Sequence, residues 1–274
     1  MVVAASAVPA PTPADAGPNI YRLRHLWLVD AGLTGIGAAT WFTTEALKQQ
    51  LAPATCHWCD RKPDGTDTLN ALDAWGQGIR LSPSGQATAD TLSSVLAFGI
   101  LPVGLITLDL LIARNDGALR GVPVDLLIIT EASVAAALVD QLVKFSVARA
   151  RPFLHALPPD QAAAVTDRDA NLSFFSGHST FAFALAVATG TVAHLRGYRW
   201  EWLVWAIGLP VAAVVPVLRM AADKHYLTDV LVGSAVGAAF GFGVPELFHA
   251  RIDEPHVDAH VVASPGGLAL SGTF

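Results

Sequence analysis

Three short polar clusters interrupt the second half of this chain, each where an apolar run begins or ends. The first is Lys144-Phe-Ser-Val-Ala-Arg149-Ala-Arg151-Pro152 and the second is Ser176-Gly177-His178. The third runs from Arg219 through Asp223, Lys224 and His225 to Asp229. As candidate site groups they supply four cations (Lys144, Arg149, Arg151 and Arg219), two histidines, the carboxylate of Asp229, the hydroxyl of Ser176 and the Gly177 amide. Guanidinium forks match phosphate oxygens, and a lysine adds a compact charge. A glycine amide at a helix start approaches an anion closely. His225 and Asp229 are one helical turn apart in sequence. A carboxylate on one imidazole nitrogen would leave the other as a nucleophile. His178 could then give a proton to a leaving oxygen.

Each cluster alone has a plainer reading. The first suits a basic patch at a membrane edge, the second a solvated histidine, the third a structural His–Asp pair at a helix start. The combination is more specific than its parts.

The elements that must position these groups follow from composition. The chain has 274 residues, 53% hydrophobic and 15% charged, with a formal net charge of −6. Soluble domains carry about 25% charged residues, and the mean hydropathy here is +0.46. Apolar segments at about 24–47, 92–113, 122–143, 179–196, 201–218 and 227–248 each approach the ~20 residues of a membrane-spanning helix. They predict an all-α bundle of six transmembrane helices over residues 23–250, with a disordered tail at 1–22 and a loose tail at 251–274. Strands are not expected, since the runs are long and do not alternate. No basic face suggests nucleic acid as a partner.

Six spans put all three clusters, and the Cys56–Cys59 loop, on one side of the membrane. With the site cations set aside, Lys and Arg divide six on that side against seven on the other. The short links tip the balance toward an extracytoplasmic site. Gly233, Gly237 and Gly241 recur every four residues, a spacing that lets membrane helices approach closely. Cys56 and Cys59 could form a short local disulfide or remain thiols; with His57 they offer too few ligands for a zinc site. Asp140 lies one turn before Lys144 and predicts an ion pair. Glu131 lies inside the third apolar segment, and an intramembrane acid is a functional candidate by default; a helix–helix hydrogen bond is an equal alternative.

Lys-x6-Arg-Pro, then Ser-Gly-His, then Arg-x5-His-x3-Asp, in this order, resembles the type 2 phosphatidic acid phosphatase family, which shares its site with vanadium-dependent haloperoxidases. Phe175 and Leu218 stand where that family usually has Pro and Ser. The resemblance implies an integral-membrane phosphatase of the haloperoxidase-like fold, hydrolysing a lipid phosphate through a phosphohistidine. It implies His225 as nucleophile, Asp229 as its orienting carboxylate and His178 as proton donor. Lys144, Arg151, Ser176, Gly177 and Arg219 would hold the phosphoryl oxygens, with no metal and no cofactor. The partners it implies are a lipid phosphate and the bilayer, in a bacterial-type inner or plasma membrane. Phosphatidate, phosphatidylglycerophosphate and polyprenyl pyrophosphate are all compatible substrates. Alternatives are a lipid phosphotransferase using the same site, a vanadate-dependent haloperoxidase, or a membrane protein with a decayed site.

Overall fold

A computed structural model describes residues 20–62 and 64–252, and the backbone of 258–264 and 267–273. The fold is helical. Its long helices are α1 (Trp27–Ala46), α2 (Pro83–Asn115, with a π-turn at Leu96–Ile100) and α3 (Val122–Val147). The remaining three are α4 (Gly177–Arg196), α5 (Glu201–Ala221) and α6 (Leu227–Phe248).

Among the described residues, four helical segments are long and apolar enough to cross a membrane: Pro83–Asn115, Leu119–Val147, Glu201–Ala221 and Leu227–Phe248. The bundle turns apolar side chains outward. Val103 is 65% exposed, Leu142 67% and Leu247 70%. Such a surface suits contact with lipid. Six spans were expected, and α1 and α4 do not belong to the four. The reasons differ. The first helix carries Asp30, Glu45 and several threonines. The fourth lies at the centre of the bundle, buried almost throughout from Ser179 to Arg196. A helix surrounded by protein needs no apolar coat, and its Thr180, Thr189 and Thr191 hydroxyls donate to carbonyls one turn back.

The glycines of α6 lie directly on α4. An added Cβ would stand 2.7 Å from the Ser176 carbonyl oxygen at Gly233, 2.2 Å from that of Thr180 at Gly237, and 2.6 Å from that of Ala184 at Gly241. Backbone therefore meets backbone, as the four-residue spacing predicted. This contact sets the N-terminal ends of α4 and α6 side by side, where the second and third clusters lie.

Short strands depart from the all-helical expectation. Arg22–Leu23 (β1) pairs antiparallel with Arg251–Ile252 (β2), tying together the two ends of the bundle chain. Leu23 is buried, and Tyr21 donates its amide to the Arg196 carbonyl. Residues 20–23 thus belong to the fold and not to a loose tail, while residues 1–19 lie outside the described residues. The loose C-terminal tail also needs correction. Asp258–Ser264 (β3) and Gly267–Thr273 (β4) form an antiparallel hairpin. Two short apolar runs separated by Pro265-Gly266 are a hairpin signal; the length of the helices obscured it.

Replacing Gly237 with Val should lower thermal stability in detergent by about 1–3 kcal/mol or more, since overpacking here strikes backbone. Gly104→Val is the control, because a Cβ at Gly104 meets nothing within 4 Å. Equal melting temperatures for the two variants would refute the close α4–α6 contact.

Candidate active site

The first cluster is split by the end of α3. Ala148 adopts a left-handed conformation at φ 47° and stops the helix. Lys144 therefore stays on α3, whereas Arg151 sits in extended backbone before Pro152, as proline demands of its predecessor. The two do not share a helix face, as they would have if the helix had run on. Lys144 Nζ lies 3.0 Å from Asp140, the pair that their spacing predicted. Arg151 is buried; its Nε donates to the Asp169 carbonyl at 2.8 Å and its Nη2 lies 2.9 Å from the Asp169 carboxylate.

Arg149 points elsewhere. It is fully buried, and its donors are consumed by Asp60 (2.8 Å), Asp73 (2.6 Å), Asp229 (2.6 Å) and Thr228 (2.9 Å). Trp58 and Tyr226 cover its two faces at 4.1 Å. Of the four cations counted from sequence, this one is structural.

Gly177 links the first cluster to the second. A Cβ there would stand 2.8 Å from Lys144 Nζ and 2.7 Å from Asp140 Oδ2. Gly177 and His178 open α4, where amides have no partner within the helix. Ser176 is the N-cap: its Oγ accepts from Ser179 Oγ at 3.0 Å, and its hydroxyl hydrogen remains available for an anion. His178 Nε2 lies 3.0 Å from Ser94 Oγ on α2, and its ring packs edge-on against Phe98.

The third cluster closes the ring. Arg219, at the end of α5, pairs with Asp90 and donates to Ser93 Oγ at 3.2 Å. Its Nε is buried without a partner. His225 Nε2 lies 3.5 Å from Arg151 Nη1. Asp90 was missed from sequence because α2 begins at Pro83, ahead of the apolar run, and Ser93 and Ser94 were read as part of the apolar segment at 92–113. Their signal was three polar residues at i, i+3 and i+4, which share one helix face.

The His225–Asp229 pair needs correction. The helix starts at Leu227 with Tyr226 as N-cap, so His225 precedes it and the two residues do not share a helical face. Their closest approach is 3.7 Å. Nδ1 of His225 instead bonds the Ser173 carbonyl at 2.8 Å. A carbonyl can only accept, so Nδ1 carries the hydrogen and Nε2 keeps its lone pair. Asp229 works one step back. Its carboxylate accepts from Ser173 Oγ (2.5 Å), the Tyr226 amide (2.9 Å) and Arg149.

Lys144, Arg151, Arg219, Ser176, Gly177, His178 and His225 thus converge where α3 and α5 end and α4 and α6 begin. The family model described as the PAP2 superfamily matches residues 125–253. This stretch belongs to the PAP2 superfamily. A solved structure described as "Crystal structure of the first transmembrane PAP2 type phosphatidylglycerolphosphate phosphatase from Bacillus subtilis" is 17% identical, covers 79% of this chain and 94% of its own, and aligns at a TM-score of 0.45. The PAP2 match begins after α2, so Asp90, Ser93 and Ser94 lie outside it, as do Asp60, Asp73 and the Cys56–Cys59 loop.

Electrostatics around the PAP2 site are sharply biased. Burial, then Arg151, Arg219 and Lys144, push His225 well below its ordinary value of 6.5, against a smaller opposing effect of the Ser173 bond. Burial disfavours the Asp169 carboxylate, yet Arg151, Lys48 and Lys144 outweigh it and hold this group well below the usual range. Glu131 is remote from the site and pairs with His249 at 3.2 Å.

Two measurements check this geometry. Chemical-shift titration of His225 in detergent should give a midpoint below 6.5. Linkage has the same sign: the unfolded chain takes up a proton below that pH that the folded imidazole refuses, so stability falls as the medium is acidified. A midpoint at or above 6.5 would contradict the cationic surroundings. Arg149→Lys should cost about 3–5 kcal/mol in a denaturant titration in micelles, because one ammonium cannot serve three buried carboxylates. A cost below about 1 kcal/mol would place Arg149 among ordinary surface positions.

Proposed function

We propose that this chain is an integral-membrane phosphatase that hydrolyses a lipid phosphate through a phosphohistidine on His225. The observation that carries this reading is the fixed tautomer of His225. Its Nδ1 is committed to the Ser173 carbonyl and its Nε2 faces a ring of cations beginning with Arg151 at 3.5 Å.

The residues divide the work. Lys144, Arg151 and Arg219, with the Gly177 amide and the Ser176 hydroxyl, bind the phosphoryl oxygens. They stabilise the charge that spreads over them in the transition state, which is most of what phosphoryl transfer requires. Nε2 of His225 attacks phosphorus in line as the phosphorus–oxygen bond to the leaving group breaks. His178, held by Ser94, gives its proton to the departing oxygen. It then takes a proton from water, which attacks phosphorus and releases His225. Fixed cations supply the charge neutralisation, so the reading includes no metal and no cofactor.

The wider frame is part of the same reading. In it α1 and α4 complete six spans, a bacterial-type inner or plasma membrane surrounds them, and the site faces the extracytoplasmic side. The Cys56–Cys59 disulfide supports that side, because such bonds persist in oxidising compartments. Phosphatidate, phosphatidylglycerophosphate and polyprenyl pyrophosphate all present the phosphate this site would hold. Transfer to a lipid acceptor instead of water would use the same groups.

Phosphate release from those three lipids in detergent, with and without chelator, tests the scheme. His225→Ala should abolish turnover, His178→Ala should lower kcat by about 10²–10⁴-fold, and chelator should change nothing. Turnover by His225→Ala would sink the mechanism, and a phosphorylated acceptor without free phosphate would identify a transferase.

A further inference from the structure

Cys56 and Cys59 form a disulfide across Cys-His-Trp-Cys, and this loop reaches the catalytic machinery. Trp58, inside the four-residue ring, does three things. It stacks on Arg149 at 4.1 Å, donates its indole N–H to Asp60 at 2.8 Å, and meets the Phe174 ring at 5.5 Å. Asp60 holds Arg149 Nε at 2.8 Å, and Arg149 holds Asp229 at 2.6 Å. Phe174 follows Ser173, whose carbonyl fixes His225 and whose hydroxyl bonds Asp229. The loop backbone is tied to the end of α3 as well: His57 donates to the Ala148 carbonyl, and Ala150 donates to that of Trp58 at 2.9 Å. Two routes therefore run from the sulfurs to the imidazole, through Arg149 and through Phe174.

The disulfide is also reachable. Cys56 and Cys59 line a cavity of about 310 Å³ together with Arg61, His155 and Asn171. Arg61 Nε and His155 Nδ1 are buried there without partners. A cation beside a cysteine favours the thiolate, the form that undergoes exchange.

We infer that Cys56–Cys59 is a redox-modification site that sets the activity of the PAP2 site by holding Trp58 against Arg149. Its co-reactant is a dithiol. One thiolate of the reductant attacks a cystine sulfur and the Cys56–Cys59 bond breaks. The second thiol resolves the mixed disulfide, so the reductant leaves oxidised and two electrons and two protons pass to the cysteines. Opening the ring frees Trp58, removes one face of the Arg149 stack and relaxes the turn that carries His225. Arg149 and Trp58 are positioning residues here; neither touches phosphate.

The activity arm of the test rests on the phosphatase reading, and the exchange arm does not. Full-length protein in detergent is treated with dithiothreitol, and the freed thiols are counted by alkylation and mass. Reduction should lower kcat about tenfold to a hundredfold, the scale of a small misplacement of a reacting group. It should move KM by less than about threefold, and reoxidation should restore the rate. Cys56→Ser/Cys59→Ser should show the reduced rate and no response to dithiothreitol. In parallel, hydrogen exchange of the amides from His225 to Asp229 should quicken on reduction while the middle of α4 stays protected. Fully alkylated protein with unchanged kcat overturns the inference, as does a dithiothreitol effect that persists in the double variant. If the oxidised protein releases no phosphate, the phosphatase reading fails, and the exchange experiment still decides: unchanged protection at His225–Asp229 overturns the inference by itself. It also decides if the double variant does not fold.

Discussion

The buried guanidinium of Arg149 is the interaction on which the rest of this structure depends. It gathers Asp60 from the Cys56–Cys59 loop, Asp73 from a short helix and Asp229 from the first turn of α6. Three carboxylates around one cation would be costly if left to themselves. They are not. Asp60 accepts from the Trp58 indole, and Asp73 accepts from Asn70 and from both the amide and hydroxyl of Thr228. Asp229 accepts from Ser173 and the Tyr226 amide. Each carboxylate oxygen meets at least one donor, which is the condition under which buried ionic groups persist. Lysine has neither the fork nor the flat faces that Trp58 and Tyr226 cover.

The cations at the site are built on the opposite rule. Lys144, Arg151 and Arg219 each face one carboxylate, from Asp140, Asp169 and Asp90. One carboxylate balances one cation here, where three surround Arg149. Arg219 Nε remains unpartnered, and so does Asp140 Oδ1. The difference between Arg149 and its neighbour Arg151 is therefore one of partners, not of residue type. Arg149 binds three carboxylates, whereas Arg151 binds one carboxylate, two backbone carbonyls and Nε2 of His225.

Much of this was legible in sequence, and for physical reasons. Membrane helices announce themselves by length and apolarity, so four of the six expected segments coincide with helices able to cross a bilayer. The glycines of α6 spelled out their own contact, because close approach needs nothing but a missing Cβ. The residues of the three polar clusters kept a recognisable order. What was hidden was tertiary. Arg149 and Arg151 look alike in sequence, and the partners that separate their roles lie 89, 76 and 80 residues from Arg149. The start of α2 is polar and small, Pro83-Ser-Gly-Gln-Ala-Thr-Ala-Asp90, so hydropathy saw only a loop where Asp90 stands, and Ser93 and Ser94 passed as the start of an apolar span. The one-turn rule applied to His225 and Asp229 assumed a helix that begins two residues later, at Leu227.

That last difference explains how the site can be both rigid and reactive. A histidine inside a helix would have its ring set by the helix face. Placed just before the N-cap, His225 is set by the Ser173 carbonyl at Nδ1 and faces Arg151 at Nε2, while Asp229 holds the Ser173 hydroxyl and the Tyr226 amide on either side. At its other end α4 is anchored by a second buried cluster, in which Arg196 and Tyr198 share Asp125. Helix α4 is thus fixed by arginine–aspartate clusters at both ends and by glycine contacts along its length. Under the proposed phosphatase reading, charges preorganised in this manner would need no rearrangement as a phosphoryl group passed between them, and that is where electrostatic catalysis gains over water.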